Sequence, residues 1–303
     1  MGGTVLNRLK FLAMIKFQLH LICRNDDIAH VSKDCIQRSP QFPQFMTVRM
    51  KWSKNVREER YCPPQIIVGA MDHRVCVVLA LSLYLEKWIK EGAGGTSQWV
   101  FTDGTTDSRS TLAAMEKETE RGKKQYSDYF KKYVVDNPLF VKDHEEDGKI
   151  GTHSIRKFAT TFCRQSGVSK DDTDYRARQK KRRIQDRYTD SQLHWPPDIN
   201  AVSRLSIGGI CLYKPIVQSG ITDEWLAHAV APHIANVFGD GVAAILAKPL
   251  LWACMEEESM IDLLVPADIK RDVVAAFVQL QSAVPDGTNP IERVEVIASE
   301  SGG

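Results

Sequence analysis

The chain has 303 residues, 43% hydrophobic and 26% charged, enough to bury a core as one large domain or two smaller ones. Its net charge of +2 is unevenly divided. From Ser191 onward there are 6 Lys/Arg and 14 Asp/Glu, leaving 34 and 24 of the totals of 40 and 38 before it, so a net +10 precedes a net −8. A basic first part suits a polyanion and an acidic tail suits protein contact, and neither composition is that of a membrane or disulfide-rich chain.

In chain order, Leu9, Leu12, Ile15, Leu19 and Ile22 recur at helical spacing and predict a buried helix over 6–22. Arg8, Lys10, Lys16 and His20 interrupt that apolar run, so it is no membrane span, and no small-residue cleavage site follows it. Arg24 falls just after the helix, and Asp26 and Asp27 are placed to cap a short second one. Val48, Met50 and Trp52 alternate with Thr47, Arg49 and Lys51, which predicts a strand over 47–54. A polar loop over 55–64, a second strand over 65–70 and an apolar helix over 75–89 follow. A Gly/Thr/Ser/Asp-rich loop over 92–110 surrounds Trp99-Val100-Phe101, and a polar helix is predicted over 110–135. An acidic turn at 143–148 leads to a helix over 154–163 that buries Ile155, Phe158, Ala159 and Phe162.

Pro196-Pro197-Asp198 breaks the chain. Apolar helical runs then cover 223–230, 242–255 and 266–284, with Pro232 and Pro249 expected to kink or divide them. Residues 285–303, rich in Gly, Pro and Ser, read as a disordered terminus. No internal repeat is found. The seven cysteines (Cys23, Cys35, Cys62, Cys76, Cys163, Cys211 and Cys254) form no Cys-x-x-Cys pair and mostly sit in apolar runs. They read as reduced, buried thiols of a nuclear or cytoplasmic protein. No metal site is expected, since Pro232 separates His228 from His233.

Two stretches carry the chemistry. His153 and Arg156, in Gly151-Thr152-His153-Ser154-Ile155-Arg156, share one helix face. Tyr188, in Arg183-Ile184-Gln185-Asp186-Arg187-Tyr188-Thr189-Asp190, lies in a basic segment with Arg176, Arg178, Lys180, Lys181, Arg182, Arg183 and Arg187. A guanidinium neutralises phosphate oxygens through its planar fork, an imidazole moves a proton near neutral pH, and a phenol can form a covalent intermediate. On residues alone, Tyr188 is either a nucleophile or a surface tyrosine in a DNA-binding or nuclear-localisation stretch. Tyr175 lies closer to His153 in sequence.

With Arg24 and Asp27 upstream, and Lys54 or Lys51 at the end of the first strand, this ordered series resembles the tyrosine recombinases, or phage-integrase family. Its eukaryotic branch includes the Crypton transposon recombinases. The resemblance covers about residues 5–195. It implies a mixed α/β, mostly α catalytic fold over 1–195, with a small antiparallel hairpin or sheet, and a helical extension over 196–284.

The resemblance also implies a function: site-specific DNA recombination or integration by a mobile element, through a 3′-phosphotyrosyl intermediate on Tyr188. Arg24 and Arg156 would clamp the phosphate, His153 would assist proton movement and Asp27 would orient the site. Lys54, or alternatively Lys51, would protonate the departing 5′ oxygen. Gln179 stands where the family has a His or Trp, and an amide donates to a phosphate but cannot take up a proton. Arg176, Arg178, Lys180, Lys181, Arg182, Arg183 and Arg187 would contact DNA. No cofactor is implied; the partners would be double-stranded DNA and further copies of the chain on it, with no membrane.

In the family a helix after the tyrosine often docks on a neighbouring protomer. Residues 242–255 are the candidate, with packing on their own domain as the alternative. The family's N-terminal DNA-clamping domain has no room before Arg24, as in a fragment, a truncated gene or a decayed element. Two rival functions are a type IB topoisomerase-like enzyme and a catalytically inactive DNA-binding remnant.

Overall fold

Helix α1 begins where the Thr4 hydroxyl accepts the Asn7 N–H at 3.3 Å, and in this computed structural model it runs over Val5–Leu21. The structure describes residues 4–51, 63–92, 97–102, 112–137, 150–179, 195–257, 259–285 and 287–296. The fold is mostly helical, 60% helix and 11% strand, with small antiparallel sheets. After α1 come α2 (Asn25–Ala29), β1 (Ile36–Arg38), β2 (Met46–Val48), β3 (Gln65–Ile67), β4 (Gly69–Ala70) and α3 (Val77–Lys90). Next are α4 (Leu112–Phe130), α5 (Thr152–Gln165), α6 (Lys170–Arg176), α7 (Trp195–Leu205) and β5 (Ile210–Pro215). The C-terminal part adds α8 (Asp223–Trp225), α9 (Pro232–Phe238), α10 (Asp240–Met255), α11 (Ser259–Asp262), α12 (Ala267–Gln279) and β6 (Ile291–Val296).

The stripe read from the sequence is not the most buried face of α1. Leu9 and Ile22 of that stripe are buried, but Leu12, Ile15 and Leu19 are only half-buried, whereas Phe11, Met14, Phe17 and Leu21 are buried too. Lys16 and His20 are buried as well, because α3 and α5 both pack on this helix. A single amphipathic stripe describes a helix covered on one side, and α1 is covered on more.

The strand expected over 65–70 serves two sheets. β3 pairs antiparallel with β2, Ile66 opposite Thr47, in the sheet β1-β2-β3. β4 pairs antiparallel with β5, Ala70 opposite Ile210, in the sheet β4-β5-β6. Between them the Val68 N–H leaves the ladder and donates to His20 Nε2 at 3.4 Å. A Cβ at Gly69 would lie 2.7 Å from the Cys211 carbonyl oxygen, so only glycine allows this approach of β4 to β5. In β2 all three residues are buried, so the polar face expected from alternation is absent there.

Two expectations for the C-terminal part are corrected. α10 is not a detachable docking helix. Leu246, Leu250 and Leu251 have no exposed surface and share one hydrophobic cluster with Met14 and Phe17 of α1 and Leu81 and Leu85 of α3. The boundary at 195/196 therefore divides no core. Pro249 lies within α10 without ending it. The terminus expected to be disordered contains β6, paired with β5 from Ile210 opposite Val296 to Pro215 opposite Ile291. The backbone of β5 supplies the partner groups that local composition cannot reveal.

His20 couples this packing to pH. It is fully buried, and burial, with the Arg176 guanidinium alongside, holds it well below the usual histidine range. Unfolding lets the imidazole take up a proton, so below about pH 6.5 the unfolded state binds more protons and stability falls as pH falls. We expect His20→Gln to flatten the pH profile of the urea unfolding free energy below that pH by up to about 1.4 kcal/mol per pH unit. Wild-type and variant profiles that stay parallel would show that His20 is charged in the fold.

Candidate functional site

The site is built where the end of α1, the start of α2 and the end of α6 meet. α1 closes on Ile22, whose left-handed φ of 48° turns the backbone away from the helix. The next residues lead to Arg24, the cap of α2, with φ −88° and ψ 164°. The Arg24 backbone N–H donates to Asp27 Oδ2 at 2.9 Å, as a third-position acidic residue does in a capping box. Asp27 is buried in the first turn of α2, where the helix dipole favours a carboxylate.

Two further guanidiniums arrive from elsewhere. Arg178, just beyond α6, donates through Nη2 to Asp27 Oδ2 at 3.0 Å. Arg156, on α5, places Nη1 4.0 Å from the same oxygen. Arg156 also donates through Nη1 to the Ile22 carbonyl and through Nη2 to the Ala177 carbonyl, each at 2.7 Å. It thereby braces the end of α1 against the end of α6. Burial, with Arg178 and Arg24 close by, lowers its pKa to about 10, so it stays charged at neutral pH. Arg24 is half-buried, and among the described residues its guanidinium makes no side-chain hydrogen bond.

Two guanidiniums against one carboxylate, with the charge of Arg24 felt by Arg156, leave a local positive excess in a partly desolvated place, the electrostatics of an anion site. His153 opens the exposed side, one turn before Arg156 on α5. The Cys23 thiol beside the cluster is pushed up to about 12, chiefly by burial, which makes it a poor nucleophile.

The structure therefore brings Arg24, Asp27 and Arg156 together, with exposed His153 on the same helix as Arg156. Gln179 is exposed immediately after Arg178, its N–H bonded to the Asp174 carbonyl at 2.9 Å. Lys51 forms an ion pair with Asp34. Lys54, Lys180, Lys181, Arg182, Arg183, Arg187 and Tyr188 lie outside the described residues.

Two members of the expected DNA-contacting set are corrected. Arg176 is fully buried. Its guanidinium pairs with Asp198 and donates to the His20 and Ile66 carbonyls, both at 2.9 Å. Arg178 is buried on Asp27 and Gln65. Both face inward because buried partners from distant segments satisfy their donors, an arrangement a run of basic residues does not disclose. Gln65, which the sequence does not single out, accepts from Arg178 and donates to the Arg176 carbonyl at 2.7 Å. Its one signal was an amide opening the apolar run Ile66-Ile67-Val68.

No known protein family, curated protein or solved structure matches the chain.

Proposed function

We propose that this protein is a DNA strand transferase of the tyrosine-recombinase kind, acting on double-stranded DNA as a multimer. The observation that carries the reading is the convergence of the Arg24 backbone and the Arg156 and Arg178 guanidiniums on Asp27, with His153 exposed one turn before Arg156 on α5. A phosphodiester brings a negative charge that grows on its non-bridging oxygens as the reaction proceeds, and guanidiniums held in advance stabilise that growth. The Tyr188 oxygen attacks phosphorus and its proton leaves to His153 or solvent. The bond from phosphorus to the 5′ oxygen breaks, and that oxygen takes a proton from Lys54. One phosphoester replaces another, so the bond energy is kept for religation. Lys180, Lys181, Arg182, Arg183 and Arg187 add phosphate contacts in this reading.

A second reading, DNA binding without cleavage, is favoured by one observation: both terminal nitrogens of Arg156 already serve backbone carbonyls. One experiment separates the two. The full chain is incubated with suicide duplexes, nicked beside the scissile phosphate, from a random-sequence pool. Strand transfer gives a covalent protein–DNA adduct whose DNA-bearing peptide contains Tyr188. Duplex retention without an adduct supports the second reading, and an adduct on another residue overturns the assignment of Tyr188.

A further inference from the structure

We propose that Arg178 is a positioning residue for this phosphate clamp, fixing Asp27 and, through it, Arg24 and Arg156. The proposal rests on the anion-binding part of the reading above and extends it to a residue that its sequence neighbours mark only as one more surface cation.

Arg178 has a φ of +50°, in the left-handed region that non-glycine residues rarely occupy. Such a conformation persists where surrounding contacts over-determine it, and functional sites collect them. Here the determinants are visible. The guanidinium is 2% exposed and donates to Asp27 at 3.0 Å and to Gln65. Its Nε is buried with no hydrogen-bond partner among the described residues, and so is Asp27 Oδ1. A turn after α6 does not by itself require burying a charged group that is incompletely bonded, since Ile22 makes the corresponding turn after α1 with an apolar side chain.

The contacts say what the arrangement accomplishes. Asp27 Oδ2 is the one atom approached by the Arg24 backbone, the Arg156 guanidinium and the Arg178 guanidinium. Left to the first two, the carboxylate would be free to turn toward Arg156 and draw it from a bound anion. The fork of Arg178, anchored on Gln65, holds the carboxylate in place. The Arg178 backbone is also where the chain leaves α6 toward Tyr188, ten residues on. Small errors in such a geometry are costly to a reaction, since a displacement of about 1 Å can lower a rate on the order of 10²-fold.

The test uses Arg178→Gly and Arg178→Lys in the full chain. Glycine accepts the left-handed backbone without strain and removes the guanidinium, whereas lysine keeps the charge and loses the fork. Arg178→Gly should stay folded with a lowered thermal midpoint, since buried Asp27 loses its nearest cation, and should keep its affinity for a random-sequence duplex, yet form the covalent adduct on the order of 10²-fold more slowly. Arg178→Lys should recover only part of that rate. Unchanged rates in Arg178→Gly overturn the proposal. If Arg178→Gly does not fold, Arg178→Lys decides, and a wild-type rate there overturns it. If the wild type forms no adduct at all, the strand-transfer reading fails on its own. Positioning is then read from inorganic phosphate, by the rise in thermal midpoint on titration. Arg178→Gly should weaken that binding about tenfold, and equal binding by both proteins overturns the proposal.

Discussion

Replacing Asp198 by alanine should lower folding stability by about 3–5 kcal/mol, the usual result of leaving a buried charge without its partner. Asp198 and Arg176 are each fully buried and joined by an ion pair. Asp198 Oδ2 also accepts the Ile66 N–H at 2.6 Å, and Arg176 donates to the His20 and Ile66 carbonyls. The pair therefore ties the end of α1, β3, α6 and α7 at one point. Alanine at 198 strands a guanidinium that is buried from solvent, and leaves the Ile66 N–H without that acceptor. Asp198→Asn, which keeps an acceptor, should cost less. The double replacement Arg176→Met with Asp198→Leu should recover much of the loss, since an apolar pair of similar volume often stands in for a buried ion pair. Urea unfolding of the three variants reads these differences. A loss under about 1 kcal/mol for Asp198→Ala would mean that the pair behaves like a solvent-exposed one.

Arg24→Ala should leave stability nearly unchanged and slow adduct formation by about 10²–10³, the typical effect of deleting one preorganised donor to a developing oxyanion. The separation follows from how Arg24 is held. Its structural bond to Asp27 comes from the backbone N–H, which alanine keeps. Among the described residues its guanidinium makes no side-chain hydrogen bond, so little folding energy leaves with it. Arg156→Ala makes the contrast, because it also removes two hydrogen bonds that join the ends of α1 and α6. Stability and rate should fall together there. Single-turnover adduct formation, duplex binding by fluorescence anisotropy and urea unfolding, measured on both variants, test the distinction. Equal, modest losses in binding and rate for Arg24→Ala would make it an ordinary phosphate contact.

Local chemistry made much of the architecture legible. The helical spacing of Leu9 through Ile22 marks α1, and the apolar run over 75–89 marks α3, because a helix depends chiefly on residues three and four apart. The order Arg24, Asp27, His153, Arg156 pointed to one place, and those residues that share Asp27 are found there.

What distant segments decide was not legible. Arg176 and Arg178 belong to a basic run in the sequence, but Asp198, Asp27 and Gln65 turn them inward. Residues 65–70 read as one strand, but His20 takes the Val68 N–H and the stretch is divided between two sheets. α10 reads as an apolar extension, yet α3, α9 and α12 pack on it. β6 lies between Gly-, Pro- and Ser-containing stretches that read as a loose tail, and β5 offers it a ladder. In each case the deciding term is desolvation: a charge, an N–H or an apolar face takes the partner that burial supplies, and that partner lies a hundred or more residues away in several of these pairs. Residue type and spacing determine which groups need a partner, while the tertiary structure determines which partner each one has.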